Sequence, residues 1–271
     1  MKYLNLGCGY RYAKHEVWTN LDFTSTSENV IAHNLLNGIP FANDSFDVVY
    51  HSHVLEHFSK PDALIFLKEC YRVLKPSAII RIAIPDLEQI TRLYLKYLDL
   101  GIKDPSDEYT RANYDWVLLE MYDQTVRNYN GGEMAKYLFR DHIINEEFIY
   151  ERIGEEGRVL RESSKELKVT AKREITLKKA IKRIVRELRG FFSHKKNEQE
   201  EIGHFRSSGE IHQWMYDRYS LTHILTQLGF EDVSIKDAFE SEIPNWTQYE
   251  LDTKDKIVRK PDSLFIEGRK K

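Results

Sequence analysis

Short apolar runs alternate with polar breaks along residues 2–86. Lys2 to Leu6 reads as a strand that leads straight into Gly7-Cys8-Gly9, a turn of small residues. Val17 to Phe23 predicts a second strand and Val30 to Leu35 a third. Ser45-Phe46-Asp47-Val48-Val49-Tyr50 predicts a fourth, with a β-branched centre that suits burial on both faces. Lys60 to Leu74 predicts an amphipathic helix: Leu64, Phe66, Leu67, Tyr71 and Leu74 recur at helical spacing, and Pro61 falls in the first turn. Lys75-Pro76-Ser77 ends that helix. Ala78 to Ile84 then predicts strand five, with Pro85-Asp86 at its carboxyl end. Such alternation predicts an α/β chain with a doubly wound parallel sheet.

The alternation stops at residue 87. Leu87 to Leu100 carries a helical stripe of Leu87, Ile90, Leu93, Tyr94 and Tyr97, with Gly101 as its C-cap. Tyr109 to Tyr129 predicts a second helix, rich in aromatics. Asn130-Gly131-Gly132-Glu133 breaks it before Met134 to Phe139. Arg173 to Lys196 has an apolar stripe with Lys and Arg on the other side, the pattern of a membrane-surface or partner-binding helix. Docking on its own core or on a second subunit stays open as the alternative. From Ser208 the chain returns to the sheet. A helix begins at Tyr219-Ser220-Leu221 with Ser220 as N-cap, and Val233 to Ile235 and Ser263 to Glu267 read as the last two strands. The expected organisation is a core of residues 1–86 and 209–271 around a mostly helical insertion at 87–208.

Composition narrows the classes. A net charge of −3 over 271 residues gives no field for nucleic acid. Cys8 and Cys70 make neither a disulfide framework nor a zinc spacing, which suits a reducing cytoplasm. No apolar run approaches the roughly 18 residues of a spanning helix, and no signal peptide is expected. His51, His53 and His57 invite a metal reading. No regular element puts all three on one side, and no acidic or cysteine partner is expected beside them, so no metal is assigned.

The turn after the first strand is where open parallel sheets receive a nucleotide, and an acid ending the second strand, Asp22, suits ribose hydroxyls. Gly9 to Asp22 is too short for a full crossover helix, so a loop is expected there. An ordinary tight turn and a strand-end acid are the plain alternatives. Asn34 suits an adenine edge or a turn cap.

Leu4-Asn5-Leu6-Gly7-Cys8-Gly9, Asn20-Leu21-Asp22, Phe46-Asp47-Val48-Val49, Val54-Leu55-Glu56-His57 and Tyr71-Arg72-Val73-Leu74-Lys75-Pro76, in that order, resemble class I S-adenosylmethionine-dependent methyltransferases. The closest likeness is to small bacterial methyltransferases of sugar and surface-polysaccharide pathways, which share the short first crossover and the Trp214-Met215-Tyr216-Asp217 stretch. The resemblance implies a Rossmann-like sheet of about seven strands, the last antiparallel between strands five and six. It implies S-adenosylmethionine held by Gly7, Cys8, Gly9, Asp22, Phe23, Asn34 and Leu35, with the backbone of His51, Ser52, His53 and Val54 on the far side. Asn5, Asn34 and Ser77-Ala78 depart from the usual acid, acid and Gly-Gly.

A sulfonium methyl is already electrophilic, so the enzyme must aim a nucleophile, exclude water and take a proton from a hydroxyl acceptor. His212, then Asp86, then His53 are the candidate bases. His142, Gln124, Arg127, Trp214 and Tyr216 are the candidate acceptor contacts. The expected activity is O-methylation of a small-molecule or glycan acceptor, lipid-linked if the basic helix meets a membrane. Methylation of another small molecule or an amine, or a catalytically idle binding protein of the same fold, are the alternatives. A homodimer is an open possibility.

Overall fold

The computed structural model describes residues 1–163 and 198–271; the basic helix expected at 173–196 lies outside them. Strands β1 (Tyr3–Leu6), β2 (Trp18–Asp22), β3 (Val30–Ala32), β4 (Phe46–Ser52), β5 (Leu74–Pro85), β6 (Phe230–Lys236) and β9 (Ser263–Lys270) form a seven-stranded sheet in the order β3-β2-β1-β4-β5-β9-β6. β1 to β5 pair in parallel, and β9 runs antiparallel to both neighbours. A two-stranded hairpin, β7 (Thr253–Lys254) with β8 (Ile257–Val258), stands apart.

Alternation along β1 sorts its side chains. Leu4 and Leu6 join the core under α1 (Lys60–Val73) and α7 (Arg218–Gln227), whereas Tyr3 faces the opposite side with Trp18 and Tyr50. In α1 the buried stripe is Ala63, Phe66, Leu67, Cys70 and Val73. Leu64, expected inside, is 41% exposed, because the small Ala63 and Cys70 occupy the face nearest the sheet. Ser59 caps α1 and Pro61 sits in its first turn, where a missing N–H costs nothing. The chain passes directly from Val73 into β5, and Ser77 adopts φ 63 where glycine is usual. That conformation costs roughly 1–2 kcal/mol for a residue with a Cβ.

No helix joins β1 to β2, as the short spacing predicts. The face left bare is covered by the segment between β6 and β9: Ile243, Trp246 and Leu251 pack on Tyr3, Trp18, Val48, Tyr50 and Ile79. Arg81, buried on β5, clamps that segment with hydrogen bonds to Asp252, to Glu267 on β9 and to the carbonyls of Asp237 and Glu240.

The insertion builds its own core. Helices α2 (Leu87–Lys103), α3 (Glu108–Val126), α4 (Gly132–Leu138) and α5, described over 146–163, gather Ile90, Tyr97, Trp116, Val117, Met134, Tyr137, Leu138 and Phe148. α2 runs past Gly101 and ends at Lys103, capped by Asp104. Asp123 of α3 accepts the Glu133 and Met134 N–H groups, which pins the start of α4. A further helix, α6 (Glu198–Arg206), leads back to the sheet. Asp217, rather than Ser220, is the N-cap of α7; Ser220 completes a reciprocal capping box.

Candidate active site

Two cavities open at the carboxyl ends of the parallel strands, the edge where such sheets bind ligands. The first, about 300 Å³, is lined by Gly7, Cys8, Gly9, Ser52 and Ser263, among others. The second, about 530 Å³, lies between sheet and insertion and is lined by Gln124, Arg127, Met134, Phe139, His57 and His212, among others. His53, Glu156 and Lys260 line both. The cavities therefore meet at these three side chains.

Each wall has a local cause. Gly7 takes φ 63, and a Cβ there would lie 2.3 Å from Val54 Cγ2, so only glycine lets the turn close on Val54. Gly9 takes φ 54 with open space on its free side. Its N–H donates to Asp22 Oδ2 at 2.7 Å, which ties the end of β2 to the turn. Asn5, where an acid is usual, donates to Asn20 at 3.1 Å. Asn20 in turn bonds both backbone groups of Ala13, so this amide pair fixes the loop that replaces a crossover helix. Burial first, then the Asp22 charge, pushes the Cys8 thiol up to about 12, which keeps it protonated.

His53 stands at the junction. Its backbone N–H bonds Ala83 of β5 at 2.8 Å, and its φ of 54 is a left-handed conformation that turns the chain off the end of β4. Its Nδ1 lies 3.2 Å from Glu56 Oε1, and its Nε2 lies 2.8 Å from the Ser263 hydroxyl. With the proton on Nδ1 beside the carboxylate, Nε2 is the acceptor, and the Ser263 hydroxyl donates to it.

Glu56 is 1% exposed, and neither of its oxygens has a well-aligned hydrogen-bond partner. Burial alone would raise its carboxyl. The contact with His53 and the nearby rings of His212 and His57 outweigh burial and hold it below the usual range. The expectation that no acid accompanies the histidines is thus corrected. The short turn Leu55–His57 folds Glu56 inward between His53 and His57. Its backbone carbonyl accepts the N–H groups of Gln213 and Trp214, which clamps the returning segment and seats His212 against His57, ring centroids 4.8 Å apart.

Residues 4–82 match a family model described as a methyltransferase domain. The chain carries a class I S-adenosylmethionine-dependent methyltransferase domain. Over 140 residues it is 27% identical to demethylmenaquinone methyltransferase of Staphylococcus aureus; the match takes in 49% of this chain and 55% of that protein. The chain thus spans about half the length of the curated relatives it matches. Among solved structures, a SAM-dependent methyltransferase from Archaeoglobus fulgidus aligns at TM-score 0.40 and 15% identity, over 99% of this chain and 86% of that one. A possible histamine N-methyltransferase from Thermotoga maritima aligns at 0.38 and 13%, over 100% and 82%.

In the methyltransferase domain the residues present fit the cofactor. The small-residue turn leaves open space beside Gly9, and a carboxylate ends the second strand. Gly7, Cys8, Gly9 and Ser52 line the first cavity, and Val54 backs Gly7 from behind. Asp22, Phe23, Asn34 and Leu35 lie toward β2 and β3, outside that lining; Phe23 is 70% exposed, and Asn34 caps the turn Leu35–Asn37. The His51 side chain is buried against Phe66, away from both cavities.

The candidate bases separate. Burial drives His212 down to about 3, which leaves it neutral but a poor match to a base working near neutrality. Asp86 caps α2 and lines neither cavity. His53 alone of the three lines both. Of the acceptor candidates, Gln124 and Arg127 line the second cavity. His142 is exposed away from it. Trp214 stands outward under Lys60, and Tyr216 is core. Glu56, Glu156, Lys260 and Ser263 were not singled out from sequence. The acid between two histidines in Glu56-His57 was the available signal.

Proposed function

We propose that the chain transfers a methyl group from S-adenosylmethionine to a hydroxyl of a sugar-like acceptor, with His53 as the general base. The observation that carries this reading is the position of His53 between the two cavities, with Nδ1 on a buried carboxylate and Nε2 facing a hydroxyl. Bound in the first cavity, the cofactor supplies an activated methyl. Gly7 and Gly9 admit it close to the backbone, and Asp22, which accepts the Gly9 N–H beside that cavity, receives its ribose hydroxyls, with Asn34 and Leu35 toward its adenine. Glu56 holds the His53 tautomer, so Nε2 accepts the acceptor's proton in the place where Ser263 now donates. The wall of the second cavity nearest His212 sequesters the reacting hydroxyl from water.

Gln124, Asn130, Arg127, Glu120, Asp262 and Lys260 give the second cavity hydrogen-bonding groups suited to a polyhydroxylated acceptor. Met134, Leu138, Phe139, Ile153 and Leu160 line the same cavity and favour a second reading: an apolar ring compound of the kind named for the staphylococcal relative.

The test is calorimetry of the full chain with S-adenosylmethionine, followed by a release assay for S-adenosylhomocysteine with glycan and quinol panels. Turnover with glycans, cut by about 10²-fold in His53→Gln with unchanged cofactor affinity, is the expected result. Turnover only with quinols would replace the acceptor class. Cofactor binding without turnover on either panel would favour the idle binding protein.

A further inference from the structure

The side chains beyond His53 form a second constellation, which shares Glu56 with His53 and adds His57 and His212. One ligand atom each from Glu56, His57 and His212 lie within 4.8 Å of one another. Glu56 is fully buried; Oε1 has only the poorly aligned 3.2 Å contact with His53 Nδ1 and Oε2 has no partner among the described residues, a costly state for a carboxylate. His57 Nδ1 lies 3.3 Å from the Ile211 carbonyl. That contact places the proton on Nδ1 and leaves Nε2 with a free lone pair, the arrangement that orients metal-binding histidines. The ring nitrogens of His212 make no hydrogen bond to the described residues. Both histidines line the acceptor cavity, so a group held between them has one side open to it.

Two imidazoles and one carboxylate, with an open side, are the donor set of zinc sites that keep a position free for a substrate or water. We propose that Glu56, His57 and His212 bind a borderline divalent cation, Zn²⁺ foremost, in the wall of the acceptor cavity, with its free position offered to an oxygen of the acceptor. Donors around a tetrahedral zinc lie about 3.4 Å apart at the usual bond lengths. The three donor atoms, now within 4.8 Å of one another, must therefore draw together when the cation binds. On the same cavity Lys260 is paired with Glu156 at 3.3 Å and Glu120 with Arg152 at 2.6 Å, which leaves Arg127 opposing a cation and Asp262 favouring it. The site stands on its own donors, whatever the chemistry next door.

The experiment uses the full chain, stripped with chelator and desalted. Zn²⁺ and, separately, Mg²⁺ are titrated by calorimetry, and Co²⁺ by visible absorption, which reports the donor set. One equivalent of Zn²⁺ is expected, with little heat from Mg²⁺. His57→Ala and His212→Ala should each weaken Zn²⁺ by at least about 10-fold and change the Co²⁺ bands. His204→Ala, which removes an exposed histidine, should change neither. Glu56→Gln should act like the histidine variants; if it does not fold, the two histidine variants decide. Absence of a stoichiometric Zn²⁺ site, or a site that survives both His57→Ala and His212→Ala, overturns the proposal. Either outcome leaves methyl transfer through His53 standing, because the readout is metal binding alone.

Discussion

Two buried acid clusters sit on this sheet, and the fold treats them in opposite ways. At Arg81 every charge is answered. The guanidinium donates to Asp252 and Glu267 at 2.8 Å each, Tyr50 donates to Asp252 at 2.6 Å, and Glu267 also accepts the Glu242 N–H at 2.9 Å. At Glu56 the carboxylate is as deeply buried, yet its oxygens are left without aligned partners beside two histidines and a cavity. The first cluster closes a structure: it fastens the segment that covers the helix-free face. The second holds binding capacity in reserve. Satisfaction, rather than burial or charge, separates the structural cluster from the functional one.

The sharpest way to break that comparison is to unbalance the first cluster. Arg81→Met leaves Asp252 and Glu267 buried without their cation. The expected loss is about 3–5 kcal/mol of stability, the usual cost of removing one partner from a buried ion pair. Urea denaturation measures it. A loss below about 1 kcal/mol would mean that the cluster does not clamp the covering segment.

His51 sharpens the comparison from the other side. Like Glu56 it is buried with unpartnered polar atoms, but it lies in the core against Phe66 and faces neither cavity. Burial lowers it to about 4, against the opposing pull of the Glu56 charge. Between pH 4 and 6.5 the unfolded chain therefore binds a proton that the folded chain refuses. Stability is present above that window and is lost as pH falls through it, by roughly 3 kcal/mol in all. His51→Leu should remove this part of the slope and leave the part due to His212, while stability at pH 7.5 stays nearly unchanged or rises. Denaturation midpoints across the window check it; an unaltered slope would place the acid sensitivity elsewhere.

These contrasts explain what could be read from the chain. The strand-and-break pattern of residues 2–86 is local, so the strands from β1 to β5 and the missing crossover helix were legible. So was the tight turn after β1, because Gly7 and Gly9 answer a backbone demand that few residues meet. The antiparallel β9 came from family resemblance rather than from pattern. Glu56 was illegible because its burial depends on residues 211–214 returning to bond its carbonyl, a contact across more than 150 positions. The place of His53 where two cavities meet is a tertiary fact that no local pattern in the sequence carries. Trp214 and Tyr216 were read as pocket walls from their type alone. Tyr216, held by its isolated bridge to Asp86, joins the core, whereas Trp214 precedes that bridge in irregular backbone and turns outward under Lys60.

The smallest expected effect tests that last point. Trp214 is 41% exposed and carries the Lys60 ammonium 3.9 Å above its ring. An exposed cation–π pair contributes about 0.5–1 kcal/mol, so Trp214→Ala should cost no more than that in a thermal or urea melt. Gln124, which is part of the acceptor-cavity lining, offers the matched comparison. Gln124→Ala should raise the acceptor's KM several-fold, about what one lost hydrogen bond is worth, whereas Trp214→Ala should leave KM where it is. A KM that rises in Trp214→Ala instead would require the indole to swing in over the acceptor, breaking its contact with Lys60. The cavity would then be completed only when the acceptor arrives.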